Sequence, residues 1–206
     1  MPKETEPAFP VGLILLAAGA SVRMGTAKQL LRINGESLVR RAAQTALRSA
    51  CQPVVVVLGA NQAAVRPELA DLPVRVVENP DWDRGMGSSI SVGIRHLLAC
   101  SPTARAAILM LADQPLVSAD LLNQLIARHR TSELPLIACE YSHQVGVPAL
   151  FEKTLFAELM ELPGAEGAKP IIRKYAGHLG SLPFPDGALD VDTPADYQRL
   201  RERMAD

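Results

Sequence analysis

Three observations predict an α/β fold on a mostly parallel sheet. Near-continuous apolar runs recur at residues 11–18, 54–58 and 106–112, as in strands buried on both faces. Segments with helical spacing of apolar residues separate these runs, so strand and helix alternate, the pattern of parallel β-α units with right-handed crossovers. Each run also ends abruptly in glycine or aspartate, at Gly19, Gly59 and Asp113. The chain of 206 residues suits one domain, residues 1–206, with an ordered core over about 10–204.

Composition narrows the classes. Hydrophobic residues make up 48% and charged residues 21%, ordinary values for a globular protein. A formal net charge of −1 gives no general attraction to nucleic acid or to an anionic membrane, so phosphate binding has to come from local cations. Cys51, Cys100 and Cys139 are far apart and form no C-x-x-C pair, which reads as buried free thiols in a reducing cytoplasm. The polar, acidic N-terminus is no signal peptide, and no apolar run approaches bilayer length. The expectation is a soluble, cytoplasmic protein with neither nucleic acid nor membrane as partner.

Taken in order, the run at 11–18 is the first strand. Asn34-Gly35 marks a turn, and residues 37–50 carry Leu38, Val39, Ala42, Ala46 and Leu47 on one helical face. Residues 54–58 are β-branched and uninterrupted up to Leu58, hence a strand. A short helix over 62–69 is limited by Pro67, and 74–77 reads as a third strand. Residues 78–89 form a loop delivering into a helix with Ile90, Ile94, Leu97 and Leu98 on its buried side. Residues 106–112 are the next strand. Ser118 caps a helix whose buried face is Leu121, Leu122, Leu125 and Ile126, and 136–139 is a further strand. Beyond residue 140 the pattern weakens. Residues 146–151 read as extended, 154–160 as helix, 163–170 as loop, and 189–194 as a short strand running into a last helix with Pro194 in its first turn.

The chemistry concentrates where strands end, as expected of ligand sites in open α/β sheets. After the first strand come small or flexible residues, Gly19, Ala20, Ser21 and Gly25, with Arg23 and Lys28 among them. Such a loop leaves backbone N–H groups free for a phosphate, and two cations suit a triphosphate. The stretch is neither G-x-G-x-x-G nor G-x-x-x-x-G-K-[ST]. Asp113 closes an apolar strand and precedes Gln114-Pro115, a costly place for a carboxylate unless it is paired, hydrated or bound to metal. Asp192 sits comparably beside Asp190, and two separated aspartates would satisfy Mg²⁺. Turn formation for Asp113 and helix capping for Asp192 are the plainer alternatives. Residues 79–89 place Asn79, Trp82, Gly87, Ser88 and Ser89 ahead of or within a helix start whose hydroxyls and N–H groups can read a base edge. Trp82 reads as a packing anchor for this loop. The four histidines form no zinc-like cluster, and no G-x-S-x-G nucleophile occurs.

The run L-A-A-G-x-S-x-R-M-G-x-x-K at residues 16–28 resembles the signature loop of nucleotidyltransferases with a Rossmann-like, three-layer fold. Within them it looks most like the molybdenum cofactor cytidylyltransferases, relatives of the molybdenum cofactor guanylyltransferases. The segments N-P-x-W-x-x-G-M-x-S-S, A-D-Q-P and D-x-D-T-P extend the resemblance over about residues 10–200. It implies transfer of CMP from CTP to molybdopterin cofactor, with pyrophosphate released and Mg²⁺ as cofactor. Arg23, Lys28 and Asp113 would be catalytic, and Asp113 and Asp192, favoured over Asp190, would hold the metal. Leu16, Ala17, Ala18, Gly19, Ser21, Arg23, Lys28, Asn79, Gly87, Ser88 and Ser89 would bind the nucleotide. A molybdoenzyme or its chaperone would be a further partner. The acceptor region departs from the family pattern at Val147, Ala165 and Lys169, where His, Asp and Arg are usual. Cytidylyl transfer to another small phosphate, or a cofactor-carrying protein without turnover, therefore stay open as alternatives.

Overall fold

The computed structural model describes residues 9–204, apart from the side chains of Arg23 and Ala165. Its elements run β1 (Val11–Ala17), β2 (Arg32–Ile33), β3 (Glu36–Ser37), α1 (Leu38–Arg48), β4 (Val54–Leu58), α2 (Gln62–Val65), β5 (Arg75–Glu78), α3 (Met86–Cys100), β6 (Ala106–Leu111) and α4 (Ala119–Ser132). There follow β7 (Leu136–Tyr141), β8 (Gln144–Glu152), α5 (Phe156–Met160), α6 (Lys169–Lys174), β9 (Leu179–Pro183) and α7 (Pro194–Arg203). Seven strands form one sheet in the order β5-β4-β1-β6-β8-β7-β9, and β2 and β3 form a separate hairpin. Only β8 runs against the others in that sheet, pairing antiparallel with both β6 and β7. The mostly parallel α/β fold read from the sequence is the fold observed.

The three layers follow from the period-2 alternation of a strand buried on both faces. Leu13 and Leu15 of β1 join one core with Val39 and Ala43 of α1 and Leu122 and Leu125 of α4. Ile14 and Leu16 face the other core, with Ile90 and Ile94 of α3, Phe156 of α5 and Ile171 of α6. Helix α3 lies unusually close to the sheet at Gly93, where an added Cβ would fall 2.5 Å from Ile14 Cγ2. Ser37 and Ser118 cap α1 and α4, their hydroxyls accepting from the N–H groups of Arg40 and Leu121.

Several expectations need correction. Residues 189–194 form no strand. Val191 is fully buried and donates a single backbone hydrogen bond, to the Asp113 carbonyl at 3.0 Å, while Leu189 turns back onto Asp186. A preceding turn at Pro185–Ala188 and the cap of α7 leave no length for a ladder. The stretch read as a loop at 163–170 holds the 3₁₀ turn Gly164–Glu166 and the start of α6, and β9 was not foreseen. Asn34-Gly35 does turn the chain, with φ of 51° and 85°, but inside a two-residue hairpin. Helix α3 begins at Met86, so Gly87, Ser88 and Ser89 are in its first turn rather than ahead of it. Cys51 and Cys139 are buried as expected, but Cys100 is exposed. Among the described residues, no helix is long and apolar enough to cross a membrane.

Candidate active site

The sheet order turns around at β1, with β4 and β5 to one side and β6 to the other, and the site lies at the carboxyl ends of these strands. A cavity of about 310 Å³ opens there. Leu16, Ala17, Ala18 and Gly19 form one wall and Leu111, Ala112 and Asp113 another. Lys28, Gln29, Trp82, Met86 and Ser89 also line it.

The loop after β1 is shaped from within. Ser21 adopts φ of 59° and Gly25 φ of 68°, and a short 3₁₀ turn at Val22–Met24 lies between them. The Ser21 hydroxyl accepts the Lys28 N–H at 3.0 Å and donates to Gln29 Oε1 at 3.3 Å. Gln29, buried to 2% exposure, donates from Nε2 to the carbonyls of Gly19 at 2.7 Å and Ala17 at 3.2 Å. Ser21 thus holds the loop together, and Gln29, which the sequence reading passed over, latches it. An amide directly after the lysine of the loop was the available signal.

Lys28 is aimed at carboxylates. Its ammonium pairs with Asp113 Oδ2 and, at 3.0 Å, with Asp192 Oδ1. Burial opposes the Lys28 charge, but the two aspartates outweigh it and hold its pKa above the ordinary lysine value. These three residues come together although 85 positions separate Lys28 from Asp113 and 164 separate it from Asp192. The Val191–Asp113 backbone bond brings the segment before α7 alongside the end of β6. Asp196 then fixes Asp192. Its Oδ2 accepts from the N–H groups of Asp192 and Thr193, at 3.2 and 2.7 Å, and from the Thr193 hydroxyl at 2.7 Å. Asp196 is a positioning residue legible only as an Asp three residues after a threonine cap. The side chain of Arg23 lies outside the described residues.

Behind this pair the polar groups are short of donors. Asp113 Oδ1, Gln114 Oε1 and Asp190 Oδ1 are buried without a hydrogen-bond partner. Burial first, and the nearby Asp113 charge second, push the Asp190 carboxyl up to about 6. Gln114 Nε2 and the Tyr141 hydroxyl both donate to the Val147 carbonyl at 3.1 Å, which ties the acceptor-region departure at Val147 to the neighbour of Asp113. Lys169 is exposed at the start of α6.

The second expected segment divides. Ser89 faces the cavity. Asn79, Gly87 and Ser88 line a separate depression of about 350 Å³, together with Arg84, Arg95 and Leu162. Asn79 is buried to 2% exposure and donates to the hydroxyls of Ser88 and Ser89 at 2.8 and 2.9 Å, while its Oδ1 accepts the Asp81 N–H. The Ser88 hydroxyl is within donating distance of the carbonyls of Asp81 and Gly85. Asn79 and Ser88 therefore shape the loop, and the structure does not bring their side chains to the cavity. Trp82 reverses expectation in the other sense. It is 36% exposed and lines the cavity instead of anchoring the loop in the core. Gly59 permits this, since a Cβ there would fall 2.7 Å from Trp82 Cβ and 2.7 Å from the Ala18 carbonyl oxygen.

The family model described as "MobA-like NTP transferase domain" matches residues 13–179, which include the loop after β1, Lys28 and Asp113. The chain belongs to this family. It is a nucleotidyltransferase. Over 198 residues it is 41% identical to the nicotine blue oxidoreductase of Paenarthrobacter nicotinovorans, covering 91% of this chain and 94% of that one. Over 206 residues it is 32% identical to the purine catabolism protein PucB of Bacillus subtilis, covering 93% and 96%. Over 198 residues it is 21% identical to the molybdenum cofactor cytidylyltransferase of Escherichia coli, covering 95% and 98%. The crystal structure of Rv0371c from Mycobacterium tuberculosis superposes with a TM-score of 0.83 at 31% identity, covering 96% of this chain and all of that one. A manganese complex of that protein superposes at 0.76 with 29% identity, covering 94% and 98%.

In this nucleotidyltransferase the donor set suits a divalent ion. Asp113 and Asp192 already reach one common cation, the Lys28 ammonium, and Asp113 Oδ1 is a buried oxygen lacking a donor. Among the described residues no group of three or more His, Cys, Asp or Glu side chains is gathered for a metal. Two carboxylates, with phosphate oxygens and water completing the shell, fit the habits of Mg²⁺ and not those of a closed zinc site.

Proposed function

We propose that this nucleotidyltransferase is a Mg²⁺-dependent cytidylyltransferase that passes CMP from CTP to the phosphate of molybdopterin cofactor and releases pyrophosphate. One observation carries the reading: a lysine held between two aspartates beside a largely apolar cavity of nucleotide-binding size. In the reaction an acceptor phosphate oxygen attacks the α-phosphorus in line. A new P–O bond forms, the bond from the α-phosphorus to its bridging oxygen breaks, and pyrophosphate leaves with the electron pair. Such a transfer asks for positioning and charge neutralisation more than covalent chemistry.

Each residue then has a task. Gly19 and the backbone latched by Gln29 receive the triphosphate, with Lys28 and Arg23 supplying positive charge. Asp113 and Asp192 would hold Mg²⁺, which when bound neutralises phosphate charge. Ala17, Ala18 and Ser89 meet the base, with Trp82 and Met86 at the rim. The name of the Escherichia coli relative supports the cytidylyl donor and the molybdenum cofactor as acceptor. A molybdoenzyme or its chaperone would take the product.

Pyrophosphate release tests the reading, with CTP and GTP each supplied with molybdopterin cofactor or with sugar and polyol phosphates. The expected result is release that needs both CTP and the molybdopterin acceptor. Equal release with a sugar phosphate would move the assignment to another acceptor. The relative named for oxidoreduction motivates a second reading, electron transfer to or from a nicotine-blue-like compound. The paired aspartates around Lys28 favour phosphoryl chemistry, because hydride transfer requires no such arrangement. Oxidation of a reduced pyridine nucleotide by nicotine blue, without any pyrophosphate release from the four nucleoside triphosphates, would reverse that preference.

A further inference from the structure

We propose that Lys28 is a built-in placeholder for the divalent cation. In the nucleotide-free protein its ammonium fills the space between Asp113 and Asp192, and it withdraws when a triphosphate offers it other anionic oxygens. The proposal rests on the metal-dependent transferase reading and deepens it.

The geometry sets up a competition. The ammonium is paired with Asp113 Oδ2 and lies 3.0 Å from Asp192 Oδ1, so a divalent ion using both carboxylates would need the same space. Two cations cannot share it. Lys28 is an intramolecular competitor, present at high effective concentration and with no translational freedom to lose. It also neutralises charge where the fold brings the Asp113 and Asp192 carboxylates to one ammonium. The metal alone must therefore displace an ion pair that the fold has assembled from three distant parts of the chain.

The same geometry shows how the space is freed. The Lys28 backbone is pinned, its N–H held by the Ser21 hydroxyl at 3.0 Å and the next residue latched to Ala17 and Gly19. Only the flexible four-carbon stem has to move. A triphosphate bound on this loop presents several oxygens within the reach of that stem, and the carboxylates then become available to metal. Metal and nucleotide thus favour each other's binding, and by linkage the effect is reciprocal. A cation bridging the aspartates only for structural reasons predicts no such dependence.

The test uses Mn²⁺ alone, without nucleotide or acceptor, followed by the loss of the free-ion electron paramagnetic resonance signal. Wild type should bind Mn²⁺ weakly. Lys28→Met, which keeps the stem and removes the ammonium, should bind at least about tenfold more tightly, and Asp113→Asn should abolish the gain. Lys28→Gln serves if the methionine variant folds poorly, and circular dichroism checks both. The gain should persist in 0.5 M salt, where a general change in surface potential is screened. Equal Mn²⁺ affinity in wild type and both Lys28 variants would overturn the placeholder while leaving the metal site standing. No Mn²⁺ binding by any of the proteins would overturn both the placeholder and the metal-dependent reading.

Discussion

The side-chain amide of Gln29 donates to the Gly19 carbonyl at 2.7 Å, closing the loop after β1 back onto the strand that launches it. A second bond from the same nitrogen reaches the Ala17 carbonyl at 3.2 Å. The Gln29 amide thus supplies a donor to both carbonyls where the chain leaves β1. Gln29→Leu keeps the volume and removes it. Leaving the buried Ala17 carbonyl without this donor should lower unfolding stability by about 1–3 kcal/mol. The loop would also lose its preset shape, so KM for nucleotide should rise. Urea denaturation and steady-state kinetics check both, and an unchanged KM would show that the latch serves stability alone.

The aspartates separate by what they touch. Asp113→Asn and Asp192→Asn exchange a charged oxygen for a neutral amide, a poor Mg²⁺ partner, and should reduce kcat by about a hundredfold or more while the fold persists. Asp190→Asn should act more mildly, since the Lys28 ammonium pairs with Asp113 and Asp192 while Asp190 is half-buried beside Asp113. Turnover at limiting Mg²⁺ is the measurement. Full activity of Asp113→Asn under those conditions would remove Asp113 from the metal site.

Asp196 gives the clearest pH dependence. The Thr193 hydroxyl first, with Arg199 and the Thr193 and Asp192 N–H groups assisting, holds its carboxyl down at about 2. A depressed carboxylate pKa means that the unfolded chain takes up the proton more readily. Its stabilising contribution is therefore complete above the usual carboxylate range near 4 and is lost as pH falls through about 2. Asp196→Ala should break the capping box that Thr193 and Asp196 form at the start of α7, at a cost of about 1 kcal/mol, and flatten the stability profile between pH 4 and 2. Because Asp196 also receives the Asp192 N–H, the variant should require more Mg²⁺ for half-maximal turnover. A steep acid transition unchanged by the substitution would assign that transition to other carboxylates.

What the sequence disclosed depended on how local the causes were. The strands at 54–58 and 106–112 and the Ser118 cap are written in neighbouring residues, and they appear in the structure almost as read. The failures fall where a distant partner decides. Residues 189–194 look like a strand because Leu189 and Val191 alternate with aspartates, yet the Val191 N–H goes to the Asp113 carbonyl and the Leu189 N–H turns back to Asp186. Asn79 and Ser88 have the chemistry of base readers, but the first turn of α3 draws them into one another. Trp82 is the converse case. A lone tryptophan in a loop reads as an anchor until Gly59, on another strand's end, is seen to let it sit at the cavity. The pairing of Lys28 with both aspartates crosses most of the chain and has no local signature.

Base choice gives the last prediction, and it brings Ala18 and Trp82 together. The loop reads Leu16-Ala17-Ala18-Gly19, so a Cβ stands at residue 18 where a glycine would leave room for a base to approach the backbone. Ala18 is 7% exposed and lines the cavity, and its Cβ packs near Gly59, against which the Trp82 stem also rests. Its methyl thus fills part of the gap between the loop and the tryptophan. Removing it would widen the place where a base enters, which matters more for the two rings of guanine than for the single ring of cytosine. One methyl in such a place is typically worth about 1–3 kcal/mol of discrimination. Wild type should therefore prefer CTP over GTP in pyrophosphate release at equal Mg²⁺, and Ala18→Gly should relax that preference by about tenfold without abolishing CTP use. Trp82 is the only tryptophan in the chain, so its fluorescence reports the same event directly. CTP should quench it and inorganic triphosphate should not, because only the base reaches the rim. A wild-type preference for GTP would overturn the cytidylyl assignment, and quenching by triphosphate alone would place the phosphates, rather than the base, beside Trp82.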